Sequence, residues 1–488
     1  MKIQAKKKLT INKNDTIAVF VTKEDLNLSF QTLPEELSFL KGIIDFEHFT
    51  GEFKESIFIP LADHPSIIVI GIGEEKKINS ELMRNASSEI VKISREKKIE
   101  NITIVAPKVF SIDTSMVLKT LCEGVYLSNY DFDFYKSKES KDKAPLLKKA
   151  TIITSETSAA KIVSEVEIIC NNTISCRDLV NQNSDYATAK YIAGEAKKMA
   201  KIPGVTVKVM TRKDIIKNKM GLLEAVNRGS ESPAHLVILS YSGAPKTAPS
   251  FAIVGKGVTF DSGGLNLKPT GSMETMRMDM AGAAAALYSF KSVAQLKMKK
   301  NIHAVLPLTD NMVSNDPYRP GDVFTAYNGK TVEIGNTDAE GRLILGDALA
   351  YTVKKLKPEY IIDLATLTGA CLVTFGETTA AFLSNNEDVA TLIEKSSEIT
   401  GDKTWRLPLD DDYDEHMKSD IADLRNISNE KSAGTITGAV FLKNFIDDTK
   451  WAHIDIAGTA WFSKSRGYRP KNATGFGVRL ITEVISQW

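Results

Sequence analysis

The sequence predicts an α/β protein of two domains, a smaller N-terminal α/β domain and a larger C-terminal domain with a mixed sheet flanked by helices. Three observations predict it. Runs of β-branched residues alternate with stretches of helical spacing, the pattern of an α/β layer. A chain of 488 residues is long for one hydrophobic core. Charged residues set among glycine and alanine concentrate in the second half, where strand patterns run out into loops.

In chain order, Thr16–Thr22 and Ser66–Ile72 are β-branched runs bounded by polar residues or glycine and read as strands. Asn79–Lys97 has helical spacing behind a polar cap at Asn79 and Ser80. Asn101–Ala106 is a short strand, Ser115–Tyr130 a helix and Ala150–Thr154 a strand. The lysine- and serine-rich run Tyr135–Ala150 reads as a solvated loop, because Glu139 and Asp142 dilute its charge. Ser158–Asn181 carries Ile162, Val163, Val166 and Ile169 at core spacing and reads as one long helix. This places an N-terminal domain at 1–157, a linking helix at 158–180 and the second domain at 181–488.

Within that second domain, Ala187–Lys201 reads as helix, Val205–Met210 as strand, Leu222–Arg228 as helix and His235–Ser240 as strand. Phe251–Val258 reads as a strand leading into Asp261-Ser-Gly-Gly, and Asp279–Leu296 as a helix with a small-residue face. Ile302–Leu308, Thr331–Ile334, Tyr360–Leu364 and Ala452–Ile456 read as strands, Leu343–Lys357 as a helix, and the C-terminus as a last helix.

Composition removes several function classes. A hydrophobic fraction of 43% and a charged fraction of 25% are ordinary for a soluble enzyme. The net charge of +1 gives no global attraction to nucleic acid or membrane. Four scattered cysteines do not form a disulfide framework or a zinc knuckle and suit a reducing cytosol. The lysines of MKIQAKKKLT precede no apolar run, and no apolar run is long enough to span a bilayer. A cytoplasmic protein is the expectation.

The chemistry gathers between Lys256 and Arg342. GKGVTFDSGGLNLKP (Gly255–Pro269) ends a strand in a glycine-rich loop, and ligands bind at the carboxyl ends of such strands. MRMDMAGAAAA (Met276–Ala286) opens a small-residue helix with an acid, Asp279. In NTDAEGRL (Asn336–Leu343), Asp338, Glu340 and Arg342 occupy alternate positions, which in extended backbone project to one side. Asp261 and Asp279, taken singly, are ordinary caps. Four carboxylates in such small-residue contexts repel one another unless cations separate them. One or two divalent ions are the economical explanation. The set has no histidine or cysteine, so manganese, magnesium and zinc all remain open. Lys256 lies in no phosphate-binding frame. Beside divalent cations it can lose its proton and ligate metal, while a charged Lys268 can polarise a substrate oxygen.

These stretches resemble the leucyl (cytosol) aminopeptidase family, the di-zinc exopeptidases with the NTDAEGRL signature, which Asn336–Leu343 repeats in full. The resemblance runs from about Cys176 to the C-terminus, through ATLTGA (Ala365–Ala370), WAHIDIAGTAW (Trp451–Trp461) and ATGFGVR (Ala473–Arg479). It is faint over residues 1–150, and Asn181–Asp185 stands where the family usually carries a proline-rich turn. The resemblance implies a C-terminal di-metal peptidase domain. It implies that Lys256, Asp261, Asp279 and Glu340 hold one ion and that Asp261, Asp338 and Glu340 hold the other, zinc or manganese. It further implies Lys268 and Arg342 as catalytic residues, with bicarbonate bound at Gly341, Arg342 and Leu343 as general base. Met276, Thr366, Leu367 and Gly369 would line the pocket for the first residue of a peptide, an apolar one such as Leu or Met. The family forms homohexamers. The expected activity is therefore that of a hydrolase, a metalloprotease removing N-terminal residues from peptides by a water activated between two metals. The alternatives are another two-metal hydrolase such as a phosphoesterase, a DNA-binding regulator on the same fold, or a catalytically dead scaffold. The near-neutral charge opposes the DNA reading, and the complete set of seven polar site residues opposes the last.

Overall fold

The computed structural model describes residues 1–27, 33–43, 48–137, 139 and 144–488. It divides into two compact units, Met1–Asn171 with Lys464–Lys471, and Asn172–Ser463 with Asn472–Trp488.

The first unit is built on β1 (Lys2–Lys6), β2 (Thr16–Thr22), β3 (Ser56–Ile59), β4 (Ser66–Gly73), β5 (Asn101–Val105) and β6 (Lys149–Ile153), in the order β1-β6-β5-β2-β4-β3. All its pairings are parallel except β3 with β4. Both faces of β4 are covered, which is why SIIVIGIG reads as a continuous apolar run. β1 is absent from the sequence reading because its KIQAK alternates with lysine and glutamine on an edge strand. Helices Ser80–Glu96 and Thr114–Ser128 cover the sheet, and Asn79 caps the first by accepting from the Leu82 amide. The returning segment Lys464–Lys471 bonds to this unit through Glu81, which accepts from Tyr468 Oη at 2.9 Å and from Arg469 Nη1 at 2.6 Å. In the lysine run, expected as a solvated loop, residues 138 and 140–143 lie outside the described residues.

The second unit adds β7 (Val205–Thr211), β8 (His235–Ser242), β9 (Ser250–Gly255), β10 (Gly257–Asp261), β11 (Asn301–Asn311), β12 (Val323–Thr325), β13 (Thr331–Glu333), β14 (Tyr360–Ala365), β15 (Ala380–Ser384), β16 (Thr404–Arg406), β17 (Leu424–Arg425) and β18 (Lys450–Asp455). Its main sheet is mixed, in the order β16-β15-β18-β14-β9-β11-β8-β7, with β10 beside β11. β18, β14, β9 and β11 run parallel, so the carboxyl ends of β9, β14 and β18 share one edge. Each sheet face has its own core. Helices Ala281–Gln295 and Val478–Gln487 cover one, and helices Glu340–Tyr351 and Gly434–Lys443 cover the other.

Three expected elements differ. The strand expected over Phe251–Val258 breaks at Lys256, whose amide donates to the Leu364 carbonyl while its own carbonyl accepts from Ala283. The helix expected from Leu343 begins at Glu340, and after Tyr351 it loosens into a π-helical turn, Thr352–Leu356. Asp279 lies in a 3-10 turn, Met276–Met280, ahead of helix Ala281–Gln295 and not in its first turn. Between residues 377 and 450 the sequence reading placed nothing, and there the fold has β15, β16, β17 and helices Glu387–Thr400 and Gly434–Lys443. Among the described residues no helix is long and apolar enough to cross a membrane.

Candidate metal centre

The centre forms where the parallel strands end. Asp261 closes β10 opposite Asn311 of β11. Its Oδ1 accepts from the Gly263 amide and from Asn311 Nδ2, each at 2.9 Å. Asn311 also holds the Thr337 carbonyl at 3.0 Å, so one amide side chain ties the Asp261 loop to the segment carrying Asp338. Tyr318 Oη donates to the same carbonyl at 2.5 Å.

Asp261, Asp338 and Glu340 offer ligand oxygens that all lie within 4.8 Å of one another. Asp279 is not in this group. It is joined to it by Lys256, whose ammonium lies 2.8 Å from Asp279 and 2.9 Å from Glu340 Oε1 and donates to the Thr366 carbonyl at 2.7 Å. Thr366 Oγ1 in turn donates to Asp279 Oδ1 at 2.7 Å, so Asp279 serves as no helix cap. Lys268 bridges the opposite side, 2.8 Å from Asp261 and 2.6 Å from Asp338. Asp338 is the open flank, its side chain 32% exposed, whereas Lys256, Asp261, Asp279 and Glu340 are buried.

The expected alternation of Asp338, Glu340 and Arg342 along extended backbone is corrected. Only Asp338 precedes the helix, and Glu340 and Arg342 lie in its first turn. Arg342 Nη1 donates to the Asn426 carbonyl at 2.9 Å, while its Nε is buried with no hydrogen-bond partner. Leu343 has its side chain in the apolar core, leaving only its backbone for a ligand. Met276 is half-buried three residues before Asp279, Thr366 is buried beside it, and half-buried Leu367 precedes exposed Gly369 at the start of helix Gly369–Phe375.

Electrostatics state what this arrangement lacks. Burial, and then the Asp261 charge, raise the Asp338 carboxyl to about 6. Burial with the same neighbour raises Glu340, and burial pushes Asp279 well above the usual carboxylate range. Burial works against the charge on Lys256, but Asp279, Glu340 and Asp261 outweigh it and hold its pKa above that of ordinary lysine. In the chain alone these acids hold Lys256 toward its charged form. Burial lowers Arg342 to about 10. Four carboxylates face two ammonium groups in a largely dry pocket. Asp279 Oδ2, Asp338 Oδ1 and Glu340 Oε1 lie close to an ammonium without receiving a well-directed hydrogen bond. Buried anions that neither pair fully nor reach water fit hard, oxygen-seeking divalent ions.

Residues 174–482 match the catalytic domain of the cytosol aminopeptidase family and residues 18–139 its N-terminal domain. The chain belongs to the cytosol aminopeptidase family. The expected resemblance is thus membership, and it extends into the N-terminal region where the sequence carried little of it. A probable cytosol aminopeptidase of Protochlamydia amoebophila is 40% identical over 92% of this chain and 91% of its own length. A second, of Chlamydia felis, is 41% identical over 91% and 90%. Among solved structures, the bottromycin maturation enzyme BotP in complex with Mn superposes with a TM-score of 0.86 at 27% identity, covering 97% of this chain and 99% of that one.

Sequence reasoning missed Asn311, Thr337 and Asn426, which brace the segments carrying the carboxylates, and Asp455, which holds the loop after β14. Asn311 reaches Asp261 from 50 residues away, Asn426 reaches Arg342 from 84 and Asp455 reaches Leu367 from 88. Thr337, next to Asp338, ties to the Gly263–Asn266 loop 71 to 74 residues away. The signal for Asp455 was present: Trp451, His453 and Asp455 alternate along a strand pattern, placing polar groups on one covered face.

Proposed function

We propose that this leucyl aminopeptidase-type exopeptidase removes the N-terminal residue of peptides, preferring Leu- or Met-like side chains, at a centre of two divalent ions, zinc or manganese. The observation that carries the reading is the meeting of Asp261, Asp338 and Glu340 oxygens within 4.8 Å beside the Lys256–Asp279 pair. Lys256, Asp261, Asp279 and Glu340 would hold one ion, and Asp261, Asp338 and Glu340 the other. Such ions, when bound, acidify a water and polarise a carbonyl.

The chain's own residues supply the rest. Lys268, at the open flank, donates to the scissile carbonyl oxygen and stabilises the negative charge that develops there. The cluster contains no histidine to take a proton. The unpartnered Nε of Arg342 and the start of the helix at Gly341–Leu343 would make an anion cradle for bicarbonate as the base. A free α-amino group of the substrate would be held at one of the ions, which restricts cleavage to the chain end. Met276, Thr366, Leu367 and Gly369 receive the first side chain. By family resemblance we read the enzyme as a cytoplasmic homohexamer, which sedimentation velocity tests.

The test is hydrolysis of leucyl anilide by the full chain before and after chelation. Activity should vanish, return with manganese or zinc, and not extend to N-acetyl-leucyl anilide. Activity that survives thorough metal removal overturns the reading, and preferential turnover of an aryl phosphate replaces it with phosphoesterase chemistry.

A further inference from the structure

Asp455 is fully buried at the carboxyl end of β18, paired in register with Ala365 of β14. It makes no contact with the carboxylate cluster. Its oxygens instead hold the loop that follows β14. Oδ1 accepts from the Leu367 amide and from the Ala457 amide, each at 3.1 Å, and Oδ2 accepts from Thr368 Oγ1 at 2.6 Å. Thr368 Oγ1 accepts from the Cys371 amide at 3.1 Å and so caps helix Gly369–Phe375. One residue earlier, Thr366 grips Lys256 with its carbonyl and Asp279 with its hydroxyl. The loop therefore has two jobs at adjacent residues. Thr366 braces the metal-ligand candidates, and Leu367 to Gly369 shape the side-chain pocket. Asp455 fixes the second part. Gly438 keeps the surroundings open, since a Cβ there would stand 3.0 Å from Leu367 Cδ2 and 3.5 Å from Arg342 Nη2.

We propose that Asp455 is a specificity-positioning residue: through Leu367, Thr368 and Ala457 it sets the shape of the pocket that reads the substrate's first side chain. The inference rests on the aminopeptidase reading of that pocket. An apolar pocket discriminates one methylene by only about 10–200-fold, so a loop that is no longer held in place forfeits much of that selectivity. A carboxylate suits the role because it accepts from three donors at once. An amide at 455 keeps one accepting oxygen for the two amides and deprives Thr368 Oγ1 of its acceptor, turning that hydroxyl toward Thr435 Oγ1, 3.2 Å away.

The experiment measures kcat and KM of the metal-loaded full chain and of Asp455→Asn, Thr368→Val and Thr368→Ser on leucyl, methionyl and alanyl anilides, with metal content determined in parallel. Asp455→Asn and Thr368→Val should lower the leucyl-to-alanyl ratio of kcat/KM by roughly tenfold, mainly through KM, with bound metal unchanged, and Thr368→Ser should restore the ratio. A uniform fall on all three substrates, or an unchanged ratio, overturns the proposal. If Asp455→Asn does not fold, Thr368→Val decides the matter by the same ratio. A wild-type chain that hydrolyses none of the anilides removes the aminopeptidase reading itself, a result distinct from an active wild type whose variants keep its selectivity.

Discussion

Gly341 is the space into which Lys256 extends: a Cβ at 341 would stand 2.5 Å from Lys256 Cε and 2.7 Å from its Nζ. The signature glycine thus lets a lysine from the β9–β10 break reach between Asp279 and Glu340. Gly341→Ala should leave the fold intact, since a flexible side chain and not backbone is displaced. It should weaken metal binding and reduce turnover by roughly a hundredfold, the cost of misplacing a group by about 1 Å. Metal titration followed by calorimetry checks this; unchanged affinity would show that Lys256 takes no part.

Lys268 contacts Asp261 and Asp338 and keeps a little more exposure than the buried Lys256, which places it at the open side of the cluster. Lys268→Ala should lower kcat by about 10²–10³, the usual effect of losing one donor to a developing oxyanion, with both ions retained. Steady-state kinetics beside metal analysis separates this from loss of metal.

Arg342 keeps its Nε unpartnered in a buried position. Arg342→Ala should slow hydrolysis by roughly a hundredfold, within the range of general-base effects, and abolish any acceleration by added bicarbonate. Rates across a bicarbonate series in degassed buffer measure both.

Asp347 anchors the helix that carries Glu340 and Arg342. Its oxygens accept from the amides of Leu222 and Leu223 at 2.9 Å and of Tyr327 at 2.7 Å. Burial raises its carboxyl to about 7, against the opposing pull of those three amides. A carboxyl raised on folding favours the folded state fully below its unfolded pKa of about 4, and the contribution is lost as pH rises toward 7. Urea denaturation of the wild type should show that decline, and Asp347→Asn should flatten it. The variant should also lose about 1–3 kcal/mol at neutral pH, because its amide hydrogens oppose a backbone donor.

The acids were legible as a set: Asp261 or Asp279 alone reads as an ordinary cap, but four carboxylates among glycine, alanine and valine repel one another unless cations meet them. In the main sheet, β8, β9, β11 and β14 were legible as buried β-branched runs and β7 as an alternating edge strand, whereas β10 was not separated from β9. Other features were not legible. The break at Lys256 depends on a hydrogen bond to Leu364, more than a hundred residues away. The separation of Asp279 from the other three acids depends on which side of Lys256 each falls. Asn311, Asn426 and Asp455 meet Thr337, Asn336 and Leu367 across 26, 90 and 88 residues, which local pattern does not encode. The helical start at Glu340 was missed because the alternate spacing of Asp338, Glu340 and Arg342 suits extended chain equally well.

The account turns on whether this pocket holds a pair of doubly charged ions. Metal quantification together with anomalous diffraction at the zinc and manganese absorption edges measures that directly. The expected result is two ions per chain, one among Asp261, Asp338 and Glu340 and one reaching Lys256 and Asp279. An active enzyme with no ion there, or with ions bound only elsewhere, would contradict it.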